Sequence, residues 1–294
     1  MELFANLTSA STDPVEFARS AEAAGFDGVT CSDHFWLRSG FPHLWVSLAA
    51  MATATSRMVV APSFANNLFR SPVEFAQASL SMHHVSGGRY EAGLGAGWTQ
   101  DELIATGQEY PDGRTRARRY REALIVVREL LRTGGCIFEG EHYSMAVPAR
   151  FEVLDDPPPL VASVGSPWTM RNVTPLVDRV ELKFGRTTRD GALDLAALAS
   201  VTRGELASMV DVVREVRPDI RIGLFTMIGA GDRAAVGPLA DGLGDNLYGS
   251  FVGEPTQVLD NLRGLTDVGI DRVQITELVP GSTARLGEEL AAGR

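Results

Sequence analysis

The sequence is poor in cysteine and in lysine. Its two cysteines, Cys31 and Cys136, lie far apart and match neither a disulfide framework nor a metal-ligand spacing. Lys183 is its single lysine. Acidic residues outnumber basic ones by 37 to 27, which gives a formal net charge of −10 at pH 7. Because nucleic acids and anionic membranes are bound by basic surfaces, we expect neither as a partner.

Long apolar runs and linkers are also missing. No apolar stretch approaches the ~20 residues that a transmembrane helix needs. The first residues, MELFANLTS, lack the basic and apolar regions of a signal peptide. No Gly- or Ser-rich segment divides the 294 residues. We therefore expect a single cytoplasmic domain over residues 1–294.

What the sequence contains is an alternation of strand-like and helix-like patterns. The predicted strands are 2–7, 26–31, 58–65, 90–94, 160–164, 179–184, 220–227 and 271–276. Strands that alternate with helices pair in parallel, and eight repeats favour a closed barrel over an open sheet. The predicted fold is α/β, a single TIM (β/α)8 barrel with irregular insertions at the C-terminal rim. The insertions are a hairpin at 138–147 and a mobile loop at 187–199.

Polar and aromatic residues follow four of these strands. TIM barrels place their active sites at the C-terminal ends of the strands, so these residues are candidates for one site. The candidates are Asp33, His34 and Trp36 after strand two, Ser63 and Phe64 at the end of strand three with Asn66 and Phe69 just beyond it, Gly95, Gly97 and Trp98 after strand four, and Gly165 and Ser166 after strand five.

His34 is the candidate catalytic residue, since histidine changes charge near neutral pH and can take or give a proton. Asp33 would orient the site or cap the following turn. The alternative for His34 is a hydrogen-bonded structural role.

The glycines and aromatic residues have two interpretations each. Gly95 and Gly97 would let a flat ring or a phosphate approach the backbone, or would serve close strand packing. The amides after Gly165 and Ser166 would bind phosphate at a helix start, or the segment is simply a helix cap. The aromatic residues, Trp36, Phe69 and Trp98, would line an apolar or aromatic pocket, or belong to the core. The sequence contains no metal-binding motif and no phosphate-binding loop.

Several motifs together resemble the luciferase-like superfamily of flavin- and deazaflavin-dependent oxidoreductases. They are AGFDG at 24–28, SDH at 32–34, RSP at 70–72, SGGR at 86–89, GLGAGW at 93–98, GEP at 253–255 and GIDRV at 269–273. Glu102 stands where the family usually has an acid. The resemblance extends from about residue 1 to about residue 278.

The resemblance implies a TIM barrel with the cofactor ring across the strand ends, and a non-proline cis peptide at Ser63-Phe64. The SDH motif is more similar to the branch that uses the deazaflavin coenzyme F420. We therefore expect hydride transfer between F420 and a small organic substrate, with His34 as proton donor or acceptor. The alternatives are an FMN-dependent monooxygenase fed by a separate cofactor reductase, and a non-catalytic flavin-binding barrel. The resemblance also implies a homodimer.

The sequence departs from the deazaflavin sugar-phosphate dehydrogenases at three points. Trp98 replaces the acid after their glycine-rich strand. Their tryptophan four residues after the histidine is Arg38 here, and the nearby tryptophan is Trp36. These two differences argue against sugar-phosphate oxidation. The family's double glycine after strand five is reduced to Gly165, which leaves the phosphate site open to question.

Overall fold

A parallel barrel of eight strands forms the centre of the molecule. The computed structural model describes residues 1–36, 40–189 and 192–293. The strands are β1 (Glu2–Leu7), β2 (Gly28–Cys31), β3 (Val59–Pro62, resumed at Ala65–Asn66), β4 (Ala92–Gly95), β5 (Leu160–Val164), β6 (Arg179–Leu182), β7 (Arg221–Ala230) and β8 (Arg272–Glu277). Each strand pairs in parallel with its neighbours along the chain, and β8 pairs with β1. A parallel bridge between Val60 and Tyr90 adds to the closure between β3 and β4. The predicted TIM barrel is confirmed.

The helices between the strands cover the outside of the barrel. They are α1 (Pro14–Ala24), α2 (Leu44–Ala54), α3 (Pro72–Ser86), α4 (Gln100–Ala105), α5 (Gly113–Thr133), α6 (Pro167–Val173), α7 (Leu195–Ala199), α8 (Arg203–Val216), α9 (Arg233–Leu243), α10 (Pro255–Arg263) and α11 (Ser282–Ala292). Asp13 caps α1 by accepting hydrogen bonds from the amides of Val15 and Glu16, and Gly25 ends it in the left-handed conformation. An aspartate just before a helix and a glycine just after it are common start and stop signals, which local sequence supplies here.

The third strand and the two insertions differ in detail from the prediction. The strand is interrupted at Ser63-Phe64, where the peptide bond is cis, as expected. The predicted hairpin is present, between Cys136–Glu139 and Ser144–Val147. The segment 187–199 contains a short hairpin, Thr188–Arg189 with Ala192–Leu193, followed by α7. Residues 190 and 191 of that predicted loop lie outside the described residues.

Buried charges fill the N-terminal end of the barrel. Arg272 is buried, forms ion pairs with Glu91 and Glu2, and lies over the ring of Phe4 at 3.9 Å. Burial raises the pKa of Glu181 to about 7, against the opposing charge of Arg272. This charged layer closes one end of the barrel and leaves the C-terminal rim for a ligand. Within the part of the chain that the structure describes, no helix is both long and apolar enough to cross a membrane.

Candidate active site

The centre of the candidate site is a pair formed by His34 and Glu102. His34 lies three residues beyond β2, and Glu102 lies on α4, which follows β4 on the same rim. His34 Nδ1 is 2.7 Å from Glu102 Oε2. The other oxygen, Oε1, accepts the backbone N–H groups of Phe35 at 2.5 Å and Trp36 at 3.0 Å. One carboxylate therefore holds both the imidazole ring and the backbone that follows it.

The charge of Glu102 determines which nitrogen of the His34 ring faces it with a hydrogen. Burial by itself would raise the pKa of Glu102, whose side chain has 0% exposure, but the hydrogen bond and charge of His34 and the Trp36 amide lower it overall. Glu102 is thus a carboxylate at neutral pH and can only accept hydrogen bonds. Nδ1 must carry the hydrogen, so Nε2 is left to accept or donate a proton.

Aromatic side chains surround His34. The rings of Phe41 and Trp98 meet the imidazole edge-on, with centroid separations of 5.2 Å and 5.4 Å. Phe35 stacks on Phe69 at 4.4 Å. Phe35 and Trp36 keep 45% and 38% of their surface exposed, which is unusual for such large apolar groups. Of the predicted pocket residues, Trp98 contacts the histidine, whereas Trp36 and Phe69 contact the neighbouring Phe35. Their role as a substrate pocket stays a prediction.

Asp33 has a different set of contacts from its neighbour. Its carboxylate accepts hydrogen bonds from the Asn66 amide at 2.6 Å and from Arg70 Nη1 at 2.5 Å. The guanidinium of Arg70 also lies 5.3 Å from the Trp45 ring. Asp33 thus ties the end of β2 to the end of β3. The group that orients His34 is Glu102, which the sequence resemblance singled out without assigning it a role.

The glycines after β3 and β4 serve close packing. A Cβ atom at Gly95 would stand 3.1 Å from the Cβ of Phe64, and one at Gly93 would stand 3.2 Å from the Phe64 ring. Gly97 has a φ of +80°, and a Cβ there would overlap the side chain of Asn66. That amide oxygen in turn accepts the Leu68 N–H at 2.9 Å. Of the two interpretations of Gly95 and Gly97, the structure supplies contacts for strand packing, and a role for them against a cofactor stays a prediction.

The start of α6 is a capping box. The Ser166 hydroxyl accepts the Thr169 N–H at 3.1 Å, and Thr169 Oγ1 accepts the amides of Ser166 at 3.0 Å and Gly165 at 3.3 Å. The phosphate hypothesis concerns the amides that follow Ser166 in the first turn of α6, and one of these, the Thr169 N–H, already has a partner in the Ser166 hydroxyl. The structure therefore shows the helix cap, and phosphate binding at Gly165 and Ser166 stays a prediction.

Two buried polar groups on the rim have no partner among the described residues. These are the hydroxyl of Ser63 and Nδ2 of Asn67, whose residues are 5% and 1% exposed. Asn67 Oδ1 accepts the Tyr143 hydroxyl at 3.3 Å, which brings the 136–147 hairpin to the site. Buried polar atoms are nearly always hydrogen-bonded in native proteins. These orphaned groups suit a ligand that carries hydrogen-bonding atoms, and cofactor binding by Ser63, Phe64 and Asn66 stays a prediction.

Lys183 is a rim residue that sequence reasoning noted but did not place. It directly follows β6, and its ammonium lies over the rings of Phe64 at 5.1 Å and Phe225 at 4.3 Å. The predicted strand 179–184 contains Lys183, whereas the observed strand ends at Leu182, so an earlier strand end is the signal that would have found it. Arg38, which replaces a tryptophan of the sugar-phosphate enzymes, lies outside the described residues. Within residues 1–36, 40–189 and 192–293, no group of three or more His, Cys, Asp and Glu side chains could hold a metal ion.

The chain resembles known proteins in sequence over about half of its length. The model of the luciferase-like monooxygenase family matches residues 5–184. Two F420-dependent glucose-6-phosphate dehydrogenases are among the relatives. The one from Amycolatopsis mediterranei is 32% identical over 160 residues, 53% of this chain and 48% of the relative. The one from Mycobacterium avium is 35% identical over 162 residues, 52% of this chain and 47% of the relative. The matched region spans about half the length of these curated relatives.

Solved structures cover the whole fold at lower identity. An F420-dependent secondary alcohol dehydrogenase superposes with a TM-score of 0.76 at 18% identity, covering 98% of this chain and 97% of that one. The F420-dependent tetrahydromethanopterin reductase from Methanopyrus kandleri gives 0.73 at 16% identity, covering 99% and 98%. At such identities the likeness concerns the fold alone. Because the family model matches more than half of the residues, the chain belongs to the luciferase-like monooxygenase family.

Proposed function

We propose that this protein is an oxidoreductase that transfers a hydride between coenzyme F420 and a small organic substrate, with His34 as the acid or base. The observation that carries the proposal is the 2.7 Å contact between His34 Nδ1 and the buried carboxylate of Glu102. It leaves Nε2 as the one ring nitrogen of His34 available for proton transfer. The F420 dependence of the curated relatives supports the choice of cofactor.

The proton chemistry follows from this pair. Hydride removal from an alcohol must be accompanied by loss of the hydroxyl proton, which Nε2 of neutral His34 would accept. The imidazolium so formed is stabilised by the ionised Glu102 beside it. In the reverse direction the same imidazolium returns the proton to the carbonyl oxygen. The hydride chemistry itself would be supplied by the bound deazaflavin.

The groups that would hold the cofactor ring are the ones without partners. The Ser63 hydroxyl and the Asn67 amide would bond the polar edge of a ring. The exposed aromatic side chains of Phe35 and Trp36 would exclude water from the reacting atoms. Sugar phosphates remain outside the proposed substrates, because Trp98 contacts His34 where the sugar-phosphate enzymes have an acid.

The test is an anaerobic assay in which reduced F420 is mixed with a panel of small carbonyl compounds. Turnover is monitored as the reappearance of the absorbance of the oxidised deazaflavin. The proposal expects oxidation of the coenzyme by at least one compound, and its loss in a His34→Ala variant. The opposite result is turnover with reduced FMN and molecular oxygen only. That outcome would replace the proposal with the monooxygenase alternative.

A further inference from the structure

Lys183 faces the inside of the barrel at its C-terminal mouth. Side chains alternate along a strand, so Lys183 shares the inward face with Glu181, two residues earlier on β6. Glu181 is fully buried, and a Cβ atom at Gly223 would overlap its carboxylate, so it lies in the barrel interior. Lys183 is partly exposed. Lys183 therefore lies above the fully buried layer, at the mouth of the barrel.

The surroundings of this ammonium are apolar. It lies 5.1 Å from the Phe64 ring centroid and 4.3 Å from that of Phe225. Among the described residues, it has no hydrogen bond and no carboxylate oxygen within ion-pair distance. Lysine is rarely held in apolar surroundings unless it is paired. Burial lowers the pKa of Lys183 to about 8, although the charge of Glu181 opposes this. A bound anion would stabilise the charged form of Lys183, because the described residues place no carboxylate within ion-pair distance of its ammonium.

Lys183 lies across the mouth of the barrel from His34. His34 follows β2 and Lys183 follows β6, which are four strands apart in a ring of eight and so lie on opposite sides of the mouth. Phe64 contacts Lys183, and the neighbouring Ser63 carbonyl lies 3.5 Å from the hydroxyl of Ser32, two residues before His34. The two side chains thus stand on opposite sides of the same barrel mouth.

We propose that Lys183 binds an anionic oxygen, of a carboxylate or phosphate group, on the small molecule whose reacting carbon lies beside His34. The inference rests on the proposed function only in treating that small molecule as the substrate. Anion binding at Lys183 itself needs no cofactor. A chain with a net charge of −10 repels anions at long range, so a site for one needs a local cation. The ammonium would form charge-assisted hydrogen bonds to the anion.

The single lysine makes a direct test practicable. Protein labelled with ¹³C-lysine gives one side-chain signal, whose titration reports Lys183 alone. We expect its midpoint near pH 8 in the cofactor-free protein. Acetate and inorganic phosphate, added in separate arms at constant ionic strength, should displace the midpoint upward by about one unit. The arm with the larger displacement identifies the preferred anion. Acetamide, which is neutral, should leave the midpoint in place.

Variants separate the lysine from general charge effects. Because neither variant contains a lysine, their anion binding is measured by titration calorimetry with acetate and phosphate, beside wild type. Lys183→Met should weaken binding about tenfold or more, and Lys183→Arg should retain most of it. Arg233→Gln is the matched control, because it removes a positive charge that is 79% exposed and should leave binding unchanged. A lysine titration that is identical with and without both anions overturns the inference. Since this experiment contains no cofactor, its failure is distinct from a failure to bind F420.

Discussion

The contact between Glu102 and His34 makes Glu102→Gln the most informative substitution. Glutamine keeps the size of the side chain but removes the charge and one of the two acceptor oxygens. The wild-type carboxylate accepts hydrogen bonds from His34 and from the amides of Phe35 and Trp36. Hydrogen bonds to a charged group contribute about 1.5–3 kcal/mol each. Losing the charge-assisted bond to the imidazolium should therefore lower turnover by about 10- to 100-fold.

Stability should change with pH in a defined direction. The pKa of Glu102 is lowered below its usual value of 4.5 in the folded protein, so its ionised form favours folding. This contribution is complete above pH 4.5 and is lost as the pH falls through the lower folded value. Urea denaturation should thus show Glu102→Gln less stable than wild type at pH 7. The difference between the two should shrink in acid.

The tautomer of His34 can be measured without a substrate. ¹⁵N-histidine spectra should show hydrogen on Nδ1 of His34 in the wild type, assigned by its absence in a His34→Ala variant. In Glu102→Gln this preference should be lost, because an amide can either donate or accept. Asp101→Asn is the matched control, since Asp101 is exposed on the same helix. Wild-type turnover and an unchanged tautomer in Glu102→Gln would refute the proposed role of Glu102.

Three further substitutions have distinct expected effects. His34→Ala should retain cofactor binding and lose about a hundredfold or more in turnover, and undiminished turnover would exclude His34 from the reaction. Asp33→Asn should lower the free energy of unfolding by about 1–3 kcal/mol, because it weakens the nearly buried pair with Arg70; an unchanged urea midpoint would contradict this. The wild type should lose stability, on the order of 3 kcal/mol, as the pH rises from 4.5 to 7, and the Glu181→Gln variant should not show this loss. The sign follows from a folded pKa of about 7, above the usual 4.5, and parallel pH profiles for the two proteins would disprove it.

The sequence predicts the barrel because its signals are local. Apolar segments separated by helix caps identify the strands, and the cap at Asp13 and the stop at Gly25 need only neighbouring residues. The final helix α11 and the short α4 were not predicted. The break in the third strand was placed at Ser63-Phe64 by resemblance, since nothing in local propensity marks it.

The functional contacts were harder to predict because they join distant residues. His34 and Glu102 are separated by 68 positions, so no spacing rule connects them. The packing of Phe64 against Gly95 depends on the neighbouring strand, which is why the glycine pattern looked equally suited to a cofactor. Likewise, the amides of the first helical turn after Ser166 look free in the sequence, whereas in the fold the Ser166 hydroxyl accepts the Thr169 N–H.

The central claim is that this barrel uses a deazaflavin, and side-by-side fluorescence titrations of the cofactor-free protein with F420 and FMN test it most directly. The proposed function predicts tight, saturable binding of F420 and much weaker binding of FMN. Replacing Ser63 with alanine should weaken the F420 complex, because the hydroxyl is proposed to bond the ring. Tight binding of FMN with no binding of F420 would contradict the account and favour a monooxygenase supplied by a separate reductase.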